Sequence, residues 1–159
     1  MLNFLKRWLQ LRIIRSLAKS LPLNTWWLYG SWAREAIADI PAQPDDVDVY
    51  ILDGTPVRIG KLLRRFLDIN FLHQEDNLLM VEKPWEISSF PLEALDREPR
   101  SLKGIPVYTI SPEFLYLQMS LSTKERHRQI LPHLSRFVNH TKLERIASKV
   151  QLSHQTKER

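Results

Sequence analysis

Asp46 and Asp48 stand two residues apart in the stretch Asp-Asp-Val-Asp-Val-Tyr-Ile-Leu that ends at Leu52. Apolar residues between and after them predict a strand, and side chains on a strand alternate. Both carboxylates therefore share one face, about 6–7 Å apart along the backbone. Two acids held this close repel each other unless a cation lies between them, and a hard divalent ion such as Mg2+ prefers such oxygen ligands. Upstream, the apolar run through Tyr29 ends in Gly30-Ser31. A small pair there lets the backbone turn sharply and offer N–H groups to a phosphate at a helix start. Arg34, one turn into that helix, can add a guanidinium to the same phosphate, and a surface pairing with a neighbouring acid is the competing reading.

These residues need elements to position them. Leu23 to Tyr29 reads as a first strand and Trp32 to Ile40 as a helix, with Pro41 to Pro44 a loop before the acidic strand. Trp26, Trp27 and Trp32 read as core rather than as a stacking surface for a base. After the turn signal Asp53-Gly54, the apolar spacing of Ile59, Leu62, Leu63, Phe66 and Leu67 predicts an amphipathic helix over Val57 to Ile69. Phe71 to His73 and Leu78 to Lys83 read as strands around a polar turn. Trp85 to Phe90 resumes a strand after Pro84, Leu92 to Lys103 is irregular, and Gly104 to Ile110 is another short strand. Ser111-Pro112-Glu113 is a helix start, with Ser as cap and Pro at the first helical position. That helix runs to Leu121. Two more follow, Thr123 to Val138, kinked or split by Pro132, and Thr141 to Val150. Lys124, Arg126, His127 and Arg128 read as a solvated face, and the last residues as frayed.

From Met1 to Leu21, Leu2, Leu5, Leu9, Ile13, Leu17 and Leu21 recur at helical spacing, and Pro22 ends the pattern. Lys6, Arg7, Arg12, Arg15 and Lys19 fill much of the remainder, and no acid precedes Glu35. A helix packed on the domain, a basic helix touching a membrane surface and a targeting peptide all compete for this pattern, the packed helix best. Charges interrupt every apolar run, which argues against a secretory signal, and nothing approaches the length of a transmembrane span.

With 159 residues, 43% hydrophobic and 26% charged, the chain can bury a core. The expected division is an N-terminal helix over 1–22, a central α/β unit over 23–121 and a helical tail over 122–159. Without cysteine there is neither a disulfide nor a thiolate metal site, and a reducing, cytoplasmic setting is compatible. His73, His127, His133, His140 and His154 show no zinc spacing. The net charge of +5 suits a polyanion such as a nucleotide, nucleic acid or an acidic membrane surface, and reads mainly as solubility plus a favourable field for a triphosphate.

Taken in order, Tyr29-Gly30-Ser31-Trp32-Ala33-Arg34 and Asp45-Asp46-Val47-Asp48 resemble the Gly-Ser-x-Ala-Arg-Gly and Ser-Asp-apolar-Asp motifs of the nucleotidyltransferase superfamily, the polymerase-beta-like group. The nearest members in pattern are the minimal and the antibiotic nucleotidyltransferases. Glu35 and Asp45 depart from the pattern, standing where Gly and Ser are usual. Gly104-Ile105-Pro106-Val107 followed by Ser111-Pro112-Glu113 and an apolar helix also resembles the lincosamide-type enzymes, extending the likeness over Trp26 to Met119. The resemblance implies an α/β fold, a mixed β-sheet with flanking helices and a helical C-terminal tail. It also implies Mg2+ held by Asp46, Asp48 and a third acid, with Gly30, Ser31 and Arg34 on the nucleotide, ATP or another nucleoside triphosphate. Glu86, between Trp85 and Ile87, best fits the third acid, and Glu82 is its rival. The implied reaction moves a nucleoside monophosphate to an acceptor hydroxyl and releases pyrophosphate. The acceptor stays open among small molecules such as an aminoglycoside or lincosamide, a protein side chain and an RNA end, as do a homo-oligomer and a partner protein. Two other classes also stay open: an antitoxin-type regulatory relative that partners a helical toxin, and a basic nucleic-acid-binding protein with strongly salt-dependent affinity.

Overall fold

The computed structural model describes residues 1–43 and 45–153. Pro44 of the expected loop, His154 and the rest of the expected frayed end lie outside the described residues.

Helix α1 spans Leu2–Ser20 and stops two residues before Pro22, whose ring cannot continue it. Its buried side is Gln10, Ile13, Ile14 and Leu17, so only the later part of the expected apolar stripe reaches the core. Strand β1 (Trp26–Leu28) leads into α2 (Gly30–Ala38), which ends at Asp39 in the left-handed conformation. Strand β2 (Val47–Leu52) follows, with Val47, Val49 and Ile51 fully buried.

The helix expected over Val57 to Ile69 is not formed. Only α3 (Lys61–Arg64) is helical there, none of it is buried, and Leu62 lies open to solvent. Gly60 is extended, and from Leu67 the chain enters the nine-residue strand β3 (Leu67–Glu75). Tertiary pairing overrides the helical spacing here. The segment Leu67-Asp68-Ile69-Asn70-Phe71 alternates, and the first six residues of β3 lie parallel to the whole of β2, from Val47↔Leu67 to Leu52↔Leu72.

Strands β4 (Leu78–Val81), β5 (Ile87–Pro91) and β8 (Gln151–Leu152) complete a six-stranded sheet in the order β1-β2-β3-β4-β5-β8. Every pairing except β2–β3 is antiparallel, which makes the sheet mixed. Between β5 and β8 the chain forms a small hairpin of β6 (Arg100–Leu102), in the segment expected to be irregular, and β7 (Ile105–Val107), within the short strand expected over Gly104 to Ile110. Its turn residues Lys103 and Gly104 both have positive φ, as a tight hairpin turn requires. Leu28 then exchanges backbone hydrogen bonds with Tyr108 and Ile110, which carries the sheet past β1.

Three helices cover one face. In α4 (Pro112–Leu121) the Ser111 hydroxyl accepts from the Phe114 N–H at 3.2 Å, the expected cap. Helix α5 (Glu125–Leu134) carries Pro132 near its end and passes into a 3-10 turn at Ser135–Phe137. Asn139 caps α6 (His140–Lys149) through the Lys142 N–H. A single core joins Ile13 and Leu17 of α1, the sheet residues Leu28, Val49, Leu72 and Phe90, and Phe114, Leu134 and Ile146 of the covering helices. Trp26, Trp27 and Trp32 all belong to it, as expected.

Candidate active site

Alternation along β2 sends Val47, Val49 and Ile51 to one face and Asp48 and Tyr50 to the other. Parallel pairing then sets Asp68 of β3 directly beside Asp48, and Asn70 beside Tyr50. These four residues line a cavity of about 490 Å³, a size that suits a small ligand. Its floor continues to Val81, Lys83 and Glu86. The roof is Leu115, Gln118 and Met119 of α4 with Ser122, Lys124 and His127 at the start of α5. Tyr29 stacks on Tyr50 with ring centroids 4.1 Å apart, and the Gln118 amide donates to the Tyr50 hydroxyl, tying roof to floor.

Gly30 is needed twice over. Its φ is +65°, and a Cβ built there would come within 2.3 Å of the Asp48 carboxylate. Thus Asp48 packs against the backbone that opens α2, and the Tyr29 N–H donates to the Asp48 carbonyl at 3.1 Å. Arg34 is 5% exposed, lines the same cavity and has no side-chain hydrogen bond or ion pair among the described residues. Ser31 is turned away: its hydroxyl donates to the Gln43 carbonyl at 3.3 Å, so it steadies the connection to β2 instead of lining the cavity.

The electrostatics divide the cavity into two poles. Burial, then Asp68 and Asp46, push the Asp48 carboxyl up to about 7, with Arg34 acting against them. Asp46, exposed just ahead of β2, is raised by burial, Asp68 and Asp45, with Lys6 opposing. At the other pole, burial followed by Arg34, Arg126 and Lys124 lowers the His127 imidazole to about 4. Arg34 itself is lowered by burial and by Arg126, while Asp48 opposes the shift. One end of the cavity therefore has excess negative charge and the other excess positive charge, with Arg34 between them.

The carboxylate brought beside Asp48 is Asp68, which lies inside the segment whose spacing predicts a helix. Glu86 does line the cavity, but its carboxyl responds to burial alone, with no resolved influence from the Asp group, and Glu82 is exposed outside the lining. The cluster at the start of α5, read as a solvated face, divides. Arg128 pairs with Glu125 at the surface, whereas Lys124 and His127 line the cavity. The alternation of Asp68 and Asn70 between Leu67, Ile69 and Phe71 was the available signal for the missed acid.

Asp46, Asp48 and Asp68 offer hard oxygen donors whose mutual repulsion a divalent cation would relieve, so the donor set fits Mg2+ in kind. Among the described residues, no group of three or more His, Asp or Glu side chains is already gathered closely enough to hold a metal ion. The two departures from the sequence motif have structural partners. Glu35 is buried, pairs with Arg7 of α1 and accepts from the Ala42 N–H at 2.8 Å, while the Asp45 carbonyl accepts from Gln10. Both residues hold α1 against α2 and the loop before β2.

No family profile and no curated protein matches the chain. Two solved structures do. One is the crystal structure of ANT(2'')-Ia in complex with adenylyl-2''-tobramycin, with a TM-score of 0.55, 15% identity, and coverage of 89% of this chain and 95% of that one. The other is the solution structure of the antibiotic-resistance factor ANT(2'')-Ia, with a TM-score of 0.57, 15% identity, and coverage of 89% and 90%. At this identity the likeness shows the fold: a mixed α/β nucleotidyltransferase fold over nearly the whole chain, as the resemblance implied.

Proposed function

We propose that the protein is a divalent-cation-dependent nucleotidyltransferase that moves a nucleoside monophosphate from a nucleoside triphosphate to an acceptor hydroxyl. The observation that carries this reading is the parallel register that sets Asp68 beside Asp48, with Asp48 packed on Gly30 and facing Arg34 across one cavity. An acidic pole and a basic pole in one cavity suit a substrate that brings both a cation and several phosphate charges.

In this reading the triphosphate lies along the start of α2. The Arg34 guanidinium pairs with its phosphates and Lys124 adds charge from the roof. Arg34, buried without an ionic partner of its own, gains one when the donor binds. Gly30 allows the phosphates to approach the backbone, and Ser31 keeps that turn in place through Gln43. Asp46, Asp48 and Asp68 would hold Mg2+, which when bound neutralises the triphosphate and the attacking oxygen. The acceptor oxygen forms a bond to the α-phosphorus as the bond from that phosphorus to the bridging oxygen breaks, and pyrophosphate departs. Asp68 takes the hydroxyl proton and passes it to water. Trp85, 81% exposed at the cavity wall, and Glu86 offer a face to the acceptor. ATP is the first donor to test, since one structural neighbour carries an adenylylated product. A triphosphate donor and a cysteine-free chain go together with a cytoplasmic setting.

The test is calorimetric titration of ATP, GTP, CTP and UTP into wild type, Asp48→Asn and Asp68→Asn, with Mg2+ and with EDTA. Binding that needs Mg2+ and is lost in both variants supports the assignment. Equal binding by all three proteins removes the metal site, and nucleic-acid affinity without Mg2+ favours the basic binding-protein alternative.

A further inference from the structure

The first half of helix α1 is mounted with its usual polarity reversed, while Ile13, Ile14 and Leu17 of its second half are buried in the ordinary way. The side against the body carries Arg7, paired with Glu35, and Gln10, which is buried and bonded to the Trp32 indole and the Asp45 carbonyl. The opposite side carries Phe4 at 77% exposure, Leu5 at 55% and Trp8 at 46%, followed by exposed Arg12, Arg15 and Lys19. Positions 4, 8, 12, 15 and 19 recur at steps of three and four, so they form one stripe, with Leu5 beside Trp8. Its first half is apolar and aromatic, and its second half is entirely basic. The Arg12 guanidinium lies 4.8 Å from the Trp8 ring centroid, joining the halves.

We propose that this stripe docks the protein on an anionic phospholipid surface, with Phe4, Leu5 and Trp8 entering the interface and Arg12, Arg15 and Lys19 on the headgroups. Chemistry selects this occupant. An aromatic and aliphatic tip followed by cations matches a bilayer boundary, apolar below and negatively charged above. A second copy would present the same three cations and no acid in its own stripe. Nucleic acid would satisfy the basic half but leave Phe4 and Leu5 in water. The inference is independent of the nucleotidyltransferase reading, because the stripe lies on the far side of α1 from the contacts that hold the helix to the domain.

The experiment is co-sedimentation of the full chain with phosphatidylcholine vesicles, with and without phosphatidylglycerol, at low and high salt. Wild type should bind the anionic vesicles, with salt weakening the interaction. Phe4→Ser/Leu5→Ser/Trp8→Ser and Arg12→Glu/Arg15→Glu/Lys19→Glu should each bind at least about tenfold more weakly. Because these residues are exposed, circular dichroism and thermal melting should match wild type. In Trp8→Phe, which keeps the apolar tip, quenching of tryptophan fluorescence by brominated lipid should largely disappear. The inference is overturned by absence of vesicle binding, by unchanged binding of either triple variant, or by a dimer in analytical ultracentrifugation that the serine variant dissociates. RNA binding lost in the charge-reversed variant, without vesicle binding in wild type, overturns it equally.

Discussion

Asp48→Asn should change how the stability of the metal-free protein depends on pH. The folded protein holds the Asp48 carboxyl up to about 7, against an ordinary value of 3.8, because burial and then the charges of Asp68 and Asp46 disfavour the carboxylate. Between those two pH values the folded state keeps a proton that the unfolded state releases. Stability therefore falls as pH rises through the window and levels off above it. At about 1.4 kcal/mol per unit the whole window is worth roughly 4 kcal/mol, and the part between pH 5 and 8 about 3 kcal/mol. For a chain of this size that is a Tm difference of roughly 5–10 °C. Calorimetric scans in EDTA at pH 5 and pH 8 should show wild type losing this much relative to Asp48→Asn, a comparison in which titration of the histidines cancels. Mg2+ should then raise the wild-type Tm at pH 8 and leave the variant unmoved, since only a native-state ligand shifts the melt. Parallel pH curves for the two proteins, or an equal Mg2+ response, would refute the argument that Asp48 is buried among like charges.

Gly30→Ala places a methyl against the Asp48 carboxylate at a positive φ; it should cost about 1–3 kcal/mol in urea melts and abolish nucleotide binding. Asp68→Asn should lower nucleotidyl transfer at least about 100-fold, on the scale of several kcal/mol of charge stabilisation, while Glu86→Gln should cost less than about tenfold. Comparable losses would restore Glu86 as the third acid. Arg34→Gln should raise the KM for the triphosphate about tenfold or more, the worth of a charge-assisted hydrogen bond, while the Tm should not fall because no internal ion pair is broken. Glu35→Ala should cost about 3 kcal/mol by leaving Arg7 and the Ala42 N–H without their partner, and Arg7→Met/Glu35→Leu should recover much of it. Burial works against the Glu35 carboxylate, but Arg7, the Ala42 N–H and Lys103 together outweigh it and lower its pKa. Its stabilisation should therefore be present above the ordinary carboxylate range and fade as pH falls below it.

What the amino-acid order determined by itself is local. Pro22 had to end the first helix, Ser111-Pro112 had to start another, and only Gly at position 30 suits a left-handed residue pressed against a carboxylate. The face of β2 that carries Asp48 and Tyr50 was legible because a two-residue period needs no knowledge of neighbours, whereas Asp46, expected on the same strand face, precedes β2 and lies outside the cavity lining. Tertiary structure decided the rest. Leu67 to Phe71 satisfies a helical spacing and an alternating one together, and only the free β2 edge, with its unpaired backbone groups, selected the strand. That selection put Asp68 beside Asp48 in a cavity that Glu86 also lines. Likewise Lys124 and His127 became cavity residues only because α4 and α5 fold back over the sheet, while Ser31 turned toward Gln43 and left Arg34 facing the cavity. A pattern along the chain sets which residues can share a face, but long-range pairing sets what that face meets, since partners distant in sequence contribute its charge and burial.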